Sequence, residues 1–425
     1  MTAPPTLAVV GAGWAGLAAA VEGVQCGMAV TVFEMSAQAG GRARRVEIDG
    51  LPLDNGQHIL IGAYRETLRL MTTVAVDIGA AFLRTPLTLV HADGSALRLP
   101  GGAPIPAFLR AVLGHPRWSV GDKLGLIATT VRWSLGGFRA PARRSVAELA
   151  AGMPAAIRAE LIDPLCVAAL NTEATQASAA VFLRVLRDAL FSGPGSSDLL
   201  LPARDLGALL PDPALAWLAE RGAALRLGSR VQAIEADGAG WCVDGERFDR
   251  VVLAASPIES ARLAAAVAPP WSATVQAMPY EPIVTLYMTS AGTRLAEPML
   301  ALRSDAASPA QFVFDRGQLG GPAGLLAFVV SGALPWVERG AEATLAATLA
   351  QAHRQLGSQL KGPLEPLRQV TERRATFRCV PALARAPMHV APGLHAAGDH
   401  VDGPYPATLE GAVRSGVAAV QAFGA

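Results

Sequence analysis

The chain has 425 residues, enough for two domains or one large interleaved pair. A formal net charge of +1 argues against nucleic acid as the main partner. Hydrophobic residues make up 51% of the chain, high for an ordinary soluble protein, which points to a large apolar cavity, a membrane-facing surface, or both.

In every long apolar stretch, charge, Gly or Pro intervenes well before about eighteen residues, so no membrane span is expected. No Lys or Arg precedes the apolar run 6–21, so a signal peptide is not expected either. Cys26, Cys166, Cys242 and Cys379 lie far apart with no Cys-x-x-Cys pair. They read as reduced, mostly buried thiols of a cytoplasmic protein, with no disulfide or metal framework.

Residues 7–10 form an apolar run that enters a Gly-x-Gly-x-x-Gly turn at Gly11, Gly13 and Gly16, with Trp14 and Ala15 inside it. An alanine-rich helix follows, then a second apolar run that ends on the acid Glu34. This is a strand, turn, helix and strand unit of the kind that cradles a dinucleotide. Gly11 permits the tight turn, Gly13 lets backbone N–H groups approach a pyrophosphate, and Gly16 lets the helix pack closely. The helix N-terminus faces the phosphates, and Glu34 can accept from a ribose hydroxyl. NAD and FAD both fit at this point.

Gly40, Gly41 and Arg42 come next, a pattern that a NAD-binding unit does not require. Two glycines permit another close backbone approach, and Arg42 can bond a phosphate. The turn 54–58 then brings Gly56, Gln57 and His58 to the edge of a flat ligand. Between 101 and 144 the character changes, with seven basic residues against one acid and several apolar and aromatic residues between them. That mixture suits either a segment lying in an anionic membrane interface or a helical cap with a solvated basic face.

From 161 to 191 the pattern is helical, broken at Asn171, Thr172 and Glu173, and the Ser/Gly/Pro cluster 192–197 ends it. Strand character returns over 224–234, 241–243 and 251–257. In a nucleotide fold the Val231 backbone would face the adenine. Further strands are expected at 275–289 and 325–330, and a helix over 342–360. Near the end, Gly398 brings backbone near the ligand and Asp399 can hold a ribityl or ribose hydroxyl. A helix starting about Ala407, with Thr408 and Leu409 in its first turn, can aim its N–H groups at a flavin N1 and C2 carbonyl. Helix ends stabilise such an anion by roughly 0.3 to 2 kcal/mol, and nicotinamide presents no comparable charge.

Taken together, the N-terminal unit, the Gly-Gly-Arg stretch, the Val231 strand, residues 251–257 and the Gly398-Asp399 to Gly411 segment resemble the flavin-containing amine oxidase and phytoene desaturase superfamily. Within it the chain is most similar to the hydroxysqualene dehydroxylases, also called squalene-associated FAD-dependent desaturases. The stretches 53–64, 164–172, 185–188 and 397–399 carry that likeness, which spans nearly the whole chain. Glu173 departs from the Pro that often follows Asn-Thr in the family.

The resemblance implies an α/β fold: a Rossmann-like FAD-binding domain, glutathione-reductase-type and discontinuous, with an inserted mixed α+β substrate domain. The FAD domain would take 1–85, 198–270 and 370–425, and the substrate and membrane-facing domain 86–197 and 271–369. It further implies FAD-dependent reductive removal of the allylic hydroxyl of hydroxysqualene, with NADPH as a transient reductant, for no second dinucleotide turn is visible. The partners implied are an isoprenoid lipid substrate, a peripheral contact with the cytoplasmic membrane face, and squalene-synthase-like enzymes. Proton-donor candidates are His58, Asp402 and Tyr405. Each has a plainer role: bonding the cofactor, capping the turn after Asp399, or walling the cavity.

Three rivals stand beside this. A carotenoid or phytoene desaturase would use the same scaffold to remove hydride. An amine oxidase is disfavoured because the only lysines are Lys123 and Lys361, neither in the 275–289 strand region. A non-enzymatic isoprenoid carrier would have no use for a helix aimed at flavin N1.

Overall fold

A computed structural model describes residues 3–48 and 50–424. Its organising layer is a six-stranded sheet drawn from three distant pieces of chain. Thr6–Val10 lies at the centre, parallel to Ala29–Glu34 on one side and Arg250–Leu253 on the other. Ala224–Leu227 extends the first flank, and Leu394–Ala396 and the antiparallel His389–Ala391 extend the second. The central strand is apolar from Leu7 to Val10, where both faces are covered. Leu7 and Val9 pack under the helix side, whereas Ala8 and Val10 face Trp241 and Phe248 of an antiparallel three-stranded ribbon.

The helix Trp14–Gln25 and the closing helix Leu409–Gln421 cover that first face together. The closing helix begins at Leu409, later than the expected start at Ala407. Thr408 is extended, with φ −135°, and its hydroxyl accepts the Gly411 amide at 3.1 Å, so it caps the helix instead of joining it.

A second, five-stranded antiparallel sheet runs Met299–Ala301, Phe312–Asp315, Leu325–Val330, Tyr280–Thr289 and Glu365–Phe377. Alternation decides its faces: Val284, Leu286 and Met288 pack towards the helix Ala341–Leu356, while Ile283 and Tyr287 face the segment around Leu53 and Leu199. The expected strand 275–289 is shorter than the apolar pattern suggested, because Pro269–Gln276 is helical. The expected strand 224–234 also stops early. Gly228, at φ +70°, turns the chain after Leu227, and Val231 lies in an irregular segment.

The remaining helices, chiefly Pro104–Gly114, Val120–Leu135, Asp163–Leu170 and Ala179–Phe191, share a core that includes Trp118, Trp133 and Phe182. Ser119 and Asp122 close a capping box at the start of Val120–Leu135. The helix Asp163–Leu170 ends on Asn171 in the left-handed region, φ 47°. The outer faces of the first two helices leave Leu135 at 86% and Val120 at 73% exposure, with Ile105, Leu113, Leu124 and Val131 also exposed. Among the described residues, no helix is long and apolar enough to cross a membrane. All four cysteines are free; Cys166 and Cys379 are buried, but Cys26 is exposed and Cys242 half-buried, which corrects the expectation of mostly buried thiols.

Candidate active site

The glycine turn is a packing device as well as a cradle. Gly11 has φ +110°, and a Cβ there would stand 2.5 Å from the Ala254 carbonyl oxygen at the end of the neighbouring strand. A Cβ on Gly16 would stand 1.8 Å from the Gly11 carbonyl oxygen. Gly13 differs, since its Cβ would meet only the Gly41 Cα, at 3.8 Å. The Gly40 amide donates to the Ala12 carbonyl at 2.8 Å and the Trp14 indole to the Ala43 carbonyl at 2.8 Å, so the two glycine loops are stitched edge to edge. Glu34 is buried, its carboxylate accepting the Ala12 amide at 2.7 Å and the Ser36 amide at 2.9 Å. Each oxygen keeps a lone pair for a further donor.

Arg42 bridges two distant segments. Its guanidinium pairs with Asp399 and donates to the carbonyls of Arg374, at 3.2 Å, and Ala375, at 3.0 Å. Burial alone would raise the Asp399 carboxyl, but Arg42, with His400 and Arg385 nearby, holds it below the usual carboxylate range. His400 is pushed down to about 4 by its burial, so the imidazole is neutral at physiological pH. The loop that follows is held by Arg385, which donates to the carbonyls of Gly403 and Tyr405, both at 2.8 Å, Asp399, at 2.6 Å, and Val401. Glu410, in the first turn of the closing helix, points away from the loop. It accepts the amides of Glu66, at 3.1 Å, and Thr67, at 2.9 Å, and so caps the helix Arg65–Thr73.

The 54–58 turn is fixed from beneath. Gln57 donates to the Tyr287 hydroxyl at 2.9 Å and accepts from Arg316 at 3.2 Å, while Tyr287 donates to the Asp54 carbonyl at 2.9 Å. The Asp54 carboxylate itself accepts the Leu206 amide at 2.8 Å. His58 places Nδ1 2.9 Å from the Gly56 carbonyl. A carbonyl only accepts, so Nδ1 carries the hydrogen and Nε2 presents a lone pair. Burial lowers the His58 imidazole, which favours this neutral form.

These elements surround one cavity of about 990 Å³. Every residue expected to bind the cofactor lines it except Gly16, whose part is packing: Gly11, Gly13, Trp14, Ala15, Glu34, Gly40, Gly41, Arg42, Gly56, Gln57, His58, Val231, Gly398, Asp399, Ala407, Thr408 and Leu409 all face it. Val231 arrives from the irregular segment, with its carbonyl accepting from Arg262 at 2.6 Å. Of the proton-donor candidates, Tyr405 lines the cavity and His58 lines it with an acceptor nitrogen. Asp402 corrects the third expectation. It is exposed and outside the cavity wall, its amide donating to the Ala386 carbonyl at 2.9 Å.

Beyond the polar end, the cavity runs along Leu165, Ala168, Val185, Leu186, Leu190 and other apolar residues of the helical part. Several residues of the site carry no local signal in the sequence: His400 lines the cavity, Arg385, Arg316 and Tyr287 brace its polar loops from outside the wall, and Asp188 lies in the stretch 185–188 with no role implied. Period alone marks the helix Ala179–Phe191, and Asp188 reads as an ordinary solvated position on it.

Residues 14–423 match the flavin containing amine oxidoreductase family, and the chain belongs to it. It is thus an FAD-dependent oxidoreductase. It is 29% identical to a hydroxysqualene dehydroxylase of Rhodopseudomonas palustris, over 97% of this chain and 96% of that one. It is 28% identical to a hydroxysqualene dehydroxylase of Sinorhizobium fredii, over 97% of each. In three dimensions it superposes on an oxidoreductase from Methanosarcina mazei with a TM-score of 0.74 at 16% identity, covering 98% of this chain and 100% of that one, a likeness of fold alone.

Proposed function

We propose that this member of the family is a hydroxysqualene dehydroxylase, removing the allylic hydroxyl of hydroxysqualene to leave squalene, with NADPH as a reductant that visits the site and departs. The observation that carries the proposal is the continuity of the cavity, which joins a dinucleotide cradle to an apolar helical wall. The likeness to two hydroxysqualene dehydroxylases along 97% of the chain supports the substrate.

The residues present fit FAD. Gly13 leaves its face open where a Cβ would meet only Gly41, and the Glu34 carboxylate stands in the same wall. Gly11, Gly13, Trp14, Ala15, Glu34 and Val231 would hold the adenosine and pyrophosphate end, with Gly40, Gly41, Arg42, Gly398 and Asp399 along the middle. Gly56, Gln57 and His58 would border the ring, facing Ala407, Thr408 and Leu409 at the positive end of the closing helix. When bound and reduced, flavin supplies the hydride. In this division the segments 1–85, 198–270 and 370–425 serve the cofactor, and 86–197 and 271–369 serve the lipid.

The protein's own part is to exclude water from an allylic centre and deliver a proton to the departing oxygen. His58 is poorly suited, because Nδ1 gives its hydrogen to the Gly56 carbonyl and leaves Nε2 an acceptor. Tyr405 keeps a phenolic proton at neutral pH, as burial pushes it up despite Arg414, with Asp188 adding to the rise. Entry of so apolar a substrate suits a peripheral contact with the cytoplasmic membrane face through the helices Pro104–Gly114 and Val120–Leu135, where exposed apolar side chains sit among basic ones.

The test is anaerobic product analysis. Reduced protein given hydroxysqualene is expected to release squalene. Turnover of phytoene with an added oxidant, and none of hydroxysqualene, would overturn the proposal in favour of a desaturase.

A further inference from the structure

Within residues 86–197, the helical part of the cavity wall, one ionisable side chain faces the cavity among the described residues: Asp188. Its helical neighbours on that wall, Val185, Leu186, Ala189 and Leu190, are apolar. A carboxylate beside a lipid chain is unfavourable unless something polar meets it.

Asp188 is held in place by two groups, both on the same oxygen. Arg184, one turn earlier, donates Nε to Asp188 Oδ2 at 2.7 Å, and the Tyr405 phenol donates to Oδ2 at 3.0 Å. Arg184 also donates to the Tyr405 oxygen at 3.2 Å, closing a ring of three side chains. This leaves Oδ1 to accept from a ligand, and the phenol, a free rotor, to donate to one. Tyr405 packs against the first turn of the closing helix, for a Cβ on Gly411 would stand 3.3 Å from the Tyr405 Cβ. The cluster therefore lies at the capped end of that helix, where the polar and apolar parts of the cavity meet.

We propose that Asp188, Tyr405 and Arg184 form the seat for an alcohol oxygen, selecting a hydroxylated isoprenoid over the hydrocarbon that lacks the hydroxyl. This rests on the function proposed above and adds the residues that read the one polar group of such a lipid. Asp188 Oδ1 accepts the substrate O–H, and the Tyr405 phenol turns its one proton from Asp188 Oδ2 to the substrate oxygen, with Arg184 keeping Oδ2 paired. Arg184 touches no substrate; it is a positioning residue that orients the other two.

The test uses the oxidised FAD-loaded protein and equilibrium binding of hydroxysqualene and squalene in the same detergent, read from the flavin absorbance change. Wild type is expected to prefer the alcohol by about tenfold or more, as hydrogen bonds to a charged group provide. Asp188→Asn and Tyr405→Phe are each expected to weaken alcohol binding by about tenfold, leaving squalene affinity and flavin content unchanged. An unchanged preference in either flavin-loaded variant overturns the seat, as does a parallel loss of affinity for both lipids, the mark of a merely structural cluster. Should one variant fail to hold flavin, the other decides. A wild type that converts hydroxysqualene without preferring it over squalene overturns the seat and leaves the function standing; a wild type that neither binds nor converts hydroxysqualene overturns the function itself.

Discussion

Gly416 of the closing helix lies against Ala15 of the first helix so closely that a Cβ on Gly416 would stand 2.1 Å from the Ala15 carbonyl oxygen. The two ends of the chain thus meet beneath the cofactor cradle, backbone against backbone. Gly416→Ala must force the helices apart, and overpacking of this kind costs typically about 1–3 kcal/mol. We expect a lower midpoint in urea unfolding and weaker flavin retention together; a variant as stable as wild type would show that the helices separate freely.

Two glycines of one motif should fail in different ways. Gly16→Ala would drive its methyl into the Gly11 carbonyl, so the fold itself should weaken. Gly13→Val meets little protein, because the nearest atom to its Cβ is the Gly41 Cα at 3.8 Å. It should keep a native circular dichroism spectrum yet purify colourless. A yellow, fully loaded Gly13→Val protein would count against the cradle.

Asp54 should make stability fall as pH rises. Its carboxyl is pushed up to about 6, mainly by burial, against the pull of the Leu206 amide and Arg316. Between the unfolded value near 4 and this folded value, the native protein holds a proton that the unfolded chain has released, so stability declines with pH and stays lowered above about 6. Asp54→Asn keeps an acceptor for Leu206 and removes the charge. It should match wild type near pH 4 and exceed it above pH 7, by up to roughly 3 kcal/mol in urea unfolding. Parallel pH profiles for the two proteins would refute this assignment.

Membrane contact should depend on both components of the helical cap. Leu135 and Leu124, at 86% and 59% exposure, supply the apolar part. Arg110, Arg117, Lys123, Arg132, Arg139, Arg143 and Arg144 supply the charge. Sedimentation with anionic liposomes should fall with added salt, and fall further for Leu124→Ser with Leu135→Ser. Equal sedimentation after the six arginines are changed to serine would remove the electrostatic component.

Several elements of the site follow from neighbours in the chain. Gly11, Gly13, Gly16 and Glu34 are readable because a tight turn, a free helix N-terminus and a strand-ending acid depend on residues within about thirty positions of one another. Apolar period likewise marks Leu325–Val330 in full. It overran at Val231 and at 275–279, since a positive-φ glycine and a proline-started helix end strands without changing the apolar character. Asp402, three residues after Asp399, is exposed, because the loop between them turns its side chain away from the cavity.

The sequence by itself thus determined the cradle, the family likeness and the two-part character of the chain, all properties of local backbone preference and hydrophobic burial. Only the tertiary structure decided that Arg42 meets Asp399, that Arg385 clasps the loop before the closing helix, and that Tyr405 reaches Asp188 inside an apolar cavity. Arg42 with Asp399 and Tyr405 with Asp188 join residues hundreds of positions apart, and Arg385 meets its loop across the two strands between them, so side-chain geometry of that kind exists only once the fold has brought these pieces together.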